Sequence, residues 1–122
     1  MQRVIVTRYG PPEVLQLEEA ETPEPDNGEV LVRVARAGIN FADLLARMGL
    51  YPGVPKPPFV PGYEVAGTVA SVGSGVDDIV VGDRIVAGRS YGGYATHVVA
   101  PKATVSQLPT SVSFDAAAAL PV

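Results

Sequence analysis

Glycine and proline punctuate this chain so often that a β-rich fold with frequent turns is its natural reading. Thirteen glycines and twelve prolines are dispersed over 122 residues, and they separate short apolar runs. The most informative run begins at Val60 and closes at Gly82-Asp83-Arg84-Ile85-Val86. It reads as a turn, a β-branched strand over Tyr63 to Val72, a glycine turn and a second strand over Arg84 to Ala87. Glu64 lies inside the otherwise apolar first strand. A carboxylate in such a place needs a partner, and Arg84 or Arg47 is available to supply one.

Other strands follow from the same pattern. Val4-Ile5-Val6 and Val14 to Glu18 flank Gly10-Pro11-Pro12 and read as a hairpin. Glu21 to Gly28 is acidic, contains proline and reads as a loop. Glu29 to Ala37 alternates most clearly, with Val30, Val32 and Val34 on one face and Leu31, Arg33 and Ala35 on the other. Tyr94 to Ala100 and Val105 to Leu108 complete the set. Two short helices are expected. Asn40 stands at an N-cap position before Phe41 to Met48, a stretch of two turns ended by Gly49, whose Phe41, Leu44, Leu45 and Met48 recur at i, i+3, i+4 and i+7. Ser113 caps a second helix over Phe114 to Leu120, with Asp115 at the positive end of its dipole. A helix start followed by Pro121 and Val122 leads to the expectation that the chain is cut at a domain boundary.

Several function classes are disfavoured. The length suits one domain that buries roughly two-thirds of its unfolded surface. Net charge is −4 with no basic cluster, which argues against nucleic-acid binding. There is no cysteine, hence no disulfide and no thiolate metal ligand, and a cytoplasmic location fits. No apolar stretch of about 18 residues is present, so no membrane anchor is expected. His97 is the single histidine; mid-strand and without partners for a zinc site, it reads as structural. Gly73-Ser74-Gly75 lies between two strands and not before a helix, so it reads as a turn and not as a phosphate loop.

Several polar side chains remain open to two readings. Asn40 and Asp43 share the first turn of the short helix. They serve either as cap and first-turn carboxylate or as the rim of a cleft. Tyr51, at the start of a loop with five prolines up to Pro61, faces a ligand or covers the core. Tyr91 and Tyr94, which flank Gly92-Gly93, have the same two readings.

Taken together, these segments resemble the medium-chain dehydrogenase/reductase superfamily, and within it the zinc-free, zeta-crystallin-like quinone oxidoreductases. The segments are Gly28 to Val32, Ala37-Gly38-Ile39-Asn40-Phe41-Ala42-Asp43, Arg47-Met48-Gly49-Leu50-Tyr51, Pro61 to Gly67, Gly82 to Val86 and Ala117 to Val122. The resemblance implies a mainly β fold with short helices, a GroES-like, partly open β-barrel. It makes residues 1–122 the N-terminal catalytic domain of a longer enzyme, whose Rossmann domain binds NADPH and is absent from this chain. In zinc-dependent relatives the position matching Asn40 holds a ligating cysteine and that matching Tyr63 a ligating histidine. The four-cysteine structural zinc loop is also missing, since Gly88 to Gly93 runs directly into the next strand. The resemblance therefore implies no metal.

The activity implied is hydride transfer from NADPH to a quinone or conjugated enone. Asn40, Tyr51 and Asp43 are then the catalytic candidates, and Asn40 also contacts the cofactor. Some quinone reductases carry a tyrosine two residues beyond the aspartate, where this chain has Leu45. Glu64 supports zinc in the metal branch, and its role here is open. The resemblance further implies a homo-oligomer for the longer protein, and a cut at the domain boundary would expose an apolar surface and a strand edge that favour self-association of these 122 residues alone. Two alternatives stand beside it: a non-catalytic GroES-like interaction module, and a membrane-associated vesicle branch of the same superfamily that has a similar Arg-Met-Gly-Leu-Tyr segment.

Overall fold

The computed structural model describes residues 1–119. Among the described residues, seven strands form two antiparallel sheets. β1 (Gln2–Val6) and β2 (Leu15–Glu19) are the expected hairpin, joined by a single 3-10 turn over Pro12–Val14. The second sheet contains β3 (Glu29–Ala37), β4 (Glu64–Val72), β5 (Arg84–Gly88), β6 (His97–Pro101) and β7 (Val105–Gln107), in the order β6-β3-β4-β5-β7. This sheet curls into a half-barrel, as a partly open barrel requires. Two register shifts between β3 and β4, at Leu31/Val32 and Val34/Arg36, mark the bulges that increase local bend.

The alternation in β3 has its expected consequence: Val30 and Val32 are fully buried and Val34 packs beside them. With Val65, Val69, Ile85, Val98 and Ala100 they form the main core inside the curl. Leu31 is also buried, on the other face. Strand boundaries differ from the expected ones mainly at β6. Tyr94 to Thr96 are not in the strand, because Tyr94 N–H goes to Pro61 and Thr96 N–H to Gln2. Gly73-Ser74-Gly75 is a turn.

The hairpin and the proline loop meet in a second cluster of Val6, Val14, Ala46 and Phe59. Ala46 comes from α1 (Phe41–Arg47). Its end is well defined: Leu50 N–H reaches Leu45 C=O at 2.8 Å, Gly49 N–H reaches Ala46 C=O at 3.1 Å, and Gly49 sits at φ +78°. This is a Schellman closure, which glycine accommodates at no steric cost.

The apolar stripe of α1 does not face inward. The helix buries Asp43 and Ala46, while Phe41, Leu44 and Met48 are exposed. α2 (Phe114–Ala117) is a single turn capped by Ser113, whose Oγ accepts Ala116 N–H at 3.1 Å. Its Ala117 and Ala118 pack on Ala66 and Val86. Leu120, Pro121 and Val122, expected to continue and end this helix, lie outside the described residues.

Candidate functional site

The polar side chains singled out above gather where α1, the start of β4 and the Gly92-Gly93 turn meet. Asn40 is the N-cap, with extended backbone at φ −119° and ψ 160°. Asp43 Oδ2 accepts Asn40 N–H at 2.9 Å, the reciprocal arm of a capping box. Asp43 Oδ1 accepts Gly62 N–H at 3.1 Å. Asp43 is 4% exposed, so its carboxylate joins the helix start to the strand entrance. The cap reading of Asn40 therefore holds for its backbone. Its carboxamide oxygen edge faces the Asp43 N–H in the capping-box arrangement, and its nitrogen goes elsewhere: Nδ2 donates to Glu64 Oε1 at 3.0 Å.

The partners expected for Glu64 are corrected here. Arg84 donates to the carbonyls of Pro109 and Val112 and lies over the Phe114 ring at 4.5 Å. Arg47 donates to Gly10 C=O at 3.1 Å. Both guanidiniums are held by carbonyls far along the chain from β4. Glu64, 2% exposed, is met by a neutral amide, and its Oε2 has no protein partner.

Two tyrosines lie close to the Asp43 carboxylate. Tyr63 and Tyr94 have buried hydroxyls without a hydrogen-bond partner. Tyr94 is brought in by a close backbone contact: Gly62, at φ +111°, would place a Cβ 2.8 Å from Gly93 Cα, and Gly93 N–H donates to Gly62 C=O at 3.1 Å. Only glycine fits there. Tyr51 is 38% exposed and meets Tyr63 edge-on, with centroids 5.8 Å apart at 74°, a favoured aromatic geometry. Ile39 and Phe41, which flank Asn40 in the chain, and Leu50, which precedes Tyr51, are 77%, 73% and 67% exposed; these apolar chain neighbours are the rim of the site. Tyr94 and Ile39 also line an open, mainly apolar groove of about 430 Å³ with Val4, Leu17 and Val34.

Electrostatics follow the packing. Burial, and next the negative charge of Asp43, push the Tyr94 phenol well above the ordinary tyrosine range. Burial also raises Tyr63, with smaller contributions from Tyr51 and Asp43. Because the folded-state phenol of Tyr94 titrates above its unfolded value, its contribution is complete below about pH 10. It is lost as pH rises through the folded-state pKa. Urea denaturation should show stability declining above pH 10, and Tyr94→Phe should lessen that decline while leaving neutral-pH stability equal or higher, since a buried unpaired hydroxyl is removed. An unchanged alkaline decline in the variant would rule out Tyr94 as its source.

The structure thus brings Asn40, Asp43, Tyr51, Tyr63, Glu64 and Tyr94 together and leaves two residues out. Tyr91 is 40% exposed and stacks loosely with Arg89. His97 starts β6, half-buried, with Nδ1 3.1 Å from Thr96 Oγ1. Its pKa is lowered by burial first, then by the N-terminal charge and Arg33. Sequence reasoning had noted Tyr63 and Tyr94 without assigning them to the site. The Gly62 and Gly93 pair was the available signal. Among the described residues no group of three His, Cys, Asp or Glu side chains is placed to hold a metal, and no helix is long and apolar enough to cross a membrane.

Comparison with known proteins places this geometry in a family. Residues 26–110 match the alcohol dehydrogenase GroES-like domain. The chain is 38% identical over its whole length to the mouse (Mus musculus) synaptic vesicle membrane protein VAT-1 homolog-like, of which it covers 29%. It is 44% identical to quinone oxidoreductase of Salmonella typhimurium, with 96% of this chain and 36% of that protein aligned. The structure of Escherichia coli quinone oxidoreductase complexed with NADPH superposes with a TM-score of 0.93 at 39% identity, over 98% of this chain and 37% of that one. The chain therefore spans roughly a third of the length of these relatives. On the family match and these identities, it belongs to the alcohol dehydrogenase GroES-like domain family of the medium-chain dehydrogenase/reductase superfamily.

Proposed function

We propose that residues 1–122 are the substrate-side domain of an NADPH-dependent oxidoreductase that transfers hydride to a quinone or conjugated enone without zinc. A Rossmann domain elsewhere in the whole protein then carries most of the cofactor. The observation that carries this reading is the Asn40 carboxamide, anchored by Glu64, in the cluster where the half-exposed Tyr51 packs edge-on against Tyr63.

The donor chemistry agrees with a zinc-free site. A carboxamide at Asn40 and a phenol at Tyr63 are poor replacements for the thiolate and imidazole that zinc prefers. A quinone or enone is already electrophilic, so hydrogen bonds to its carbonyl oxygen provide the help it needs as charge develops there. Asn40 and Tyr51 carry the donors. Asp43 acts by holding the Asn40 backbone in place.

The cofactor fits this chain at one end only. Gly73-Ser74-Gly75 is an inter-strand turn and offers no helix N-terminus to a pyrophosphate. The Asn40 amide and the apolar rim suit a nicotinamide ring, which supplies the hydride when bound. The exposed Ile39, Phe41 and Leu50 side chains then face the cleft toward the cofactor domain. In their isolated form they favour self-association.

The test uses the full-length protein with NADPH and 1,4-naphthoquinone. Tyr51→Phe should lower kcat/KM for the quinone about tenfold and Asn40→Ala up to about a hundredfold. Absence of turnover in the unmodified protein with any quinone or enone would sink the reading. Similarity to the VAT-1 homolog-like protein supports a second one, a role at a vesicle membrane, which co-flotation of the full-length protein with lipid vesicles examines directly.

A further inference from the structure

Gly38, Asn40 and Glu64 are locked to one another in a way that determines what Asn40 presents. Glu64 Oε1 accepts from Asn40 Nδ2 at 3.0 Å. A carboxylate oxygen repels a carbonyl oxygen, so the amide nitrogen must lie on the Glu64 side. The opposite edge of the carboxamide faces the Asp43 N–H in the capping-box arrangement, without closing a full cap bond. With one N–H given to Glu64 and the oxygen turned toward the helix start, the second Nδ2–H is the group left to offer a ligand.

Glu64 is in turn confined. It is 2% exposed, and it lies directly against Gly38. A Cβ on Gly38 would stand 1.8 Å from Glu64 Oε1 and 2.6 Å from its Cγ, so the whole carboxylate arm occupies the space a side chain would take. The backbones are tied as well, with Gly38 N–H donating to Glu64 C=O at 3.1 Å. No arginine or lysine pairs with Glu64 among the described residues, so its clearest contact is the amide of Asn40. A buried carboxylate is expensive unless it is paired or hydrogen-bonded.

We propose that Glu64 is a positioning residue: seated in the space left by Gly38, it orients the Asn40 carboxamide so that an N–H, not the carbonyl oxygen, faces the substrate carbonyl. The orientation itself is independent of the reaction; its kinetic consequence rests on the functional reading above.

Two measurements separate these levels. In this chain, the Asn40 side-chain amide is observed by 15N–1H NMR. The Asn40 Nδ2 proton donated to Glu64 should be shifted downfield and slow to exchange. Glu64→Gln removes the charge that selects the orientation and should move that resonance upfield. Gly38→Ala keeps the charge but displaces the arm, and should do the same. An Asn40 amide that resembles exposed asparagines in the unmodified chain overturns the proposal, and this arm needs no variant to fold.

In the full-length protein with NADPH and 1,4-naphthoquinone, both variants should lose about 10- to 100-fold in kcat/KM for the quinone. KM for NADPH should change less than about twofold, and the quinone loss should persist after rates are normalised to the folded fraction titrated by NADPH binding, a correction that would abolish any loss due to unfolding. Unchanged quinone kinetics in folded Glu64→Gln overturns the proposal. If the unmodified protein turns over no quinone or enone, the functional reading fails instead, and the NMR result alone decides the orientation.

Discussion

Asp43→Ala is expected to cost about 3–5 kcal/mol of stability. The carboxylate accepts two backbone N–H groups, from Asn40 at 2.9 Å and from Gly62 at 3.1 Å, and it is 4% exposed. Truncation leaves both donors unpaired, one of them at the buried Gly62, and adds a small cavity. Each orphaned donor costs about 1–3 kcal/mol.

Asp43→Asn should cost about half as much, since it keeps one acceptor oxygen but turns an NH2 toward the other N–H. The second effect is electrostatic. Asp43 is the largest charged contributor to the raised Tyr94 phenol, after burial. The alkaline loss of stability should therefore shrink in Asp43→Asn. Urea denaturation at pH 7 and pH 11 reads both quantities. A cost below about 1 kcal/mol for Asp43→Ala would mean that water replaces the carboxylate, and the joining role would be lost with it.

Gly67→Ala is expected to cost about 3 kcal/mol and to lower Tm by about 10 °C. Gly67 lies in β4 between Val34 of β3 and Ile85 of β5. A Cβ there would stand 2.0 Å from the backbone oxygen of Arg33 and 3.1 Å from Ala35 N. These are backbone atoms at the β3 bulge, and they have no rotamer by which to withdraw. The central pairing of the half-barrel must open, or the bulge must move. Gly75→Ala is the control. At φ +82° with nothing within 4 Å, it should lose only the left-handed backbone preference, about 1–2 kcal/mol. Equal losses in the two variants would show that β3 and β4 adjust freely and that the close approach at Gly67 carries no special weight.

The candidate site was legible in parts. Asn40 and Asp43 were visible as a helix start, because a cap acts over three residues and needs no distant partner. Glu64 was visible as a carboxylate in an apolar strand, so a partner was expected. Its identity was not visible. Arg84 and Arg47 were reasonable by charge, yet both are drawn away to backbone carbonyls, and the amide of Asn40 takes their place. Tyr94 was one of several tyrosines until the contact of Gly62 with Gly93 placed it under the cluster. Helix α1 gives the sharpest contrast. Its periodicity marked a helix correctly, but the stripe of Phe41, Leu44 and Met48 is exposed and Asp43 is buried. Periodicity describes which residues share a face; it does not say which face the rest of the chain covers.

What the sequence determined by itself is the set of local elements. β-branched alternation specified β3 and β4, Gly49 ended α1, and Ser113 started α2, each through forces that act within one strand or one turn. What the tertiary structure decided is every pairing across distance: Asn40 with Glu64, Gly62 with Gly93, Gly38 against a carboxylate arm. Those contacts join residues 24 to 31 positions apart, and they depend on the curl of one sheet. Local sequence cannot encode them, because each partner is selected by competition for space and hydrogen bonds only after the strands have come together.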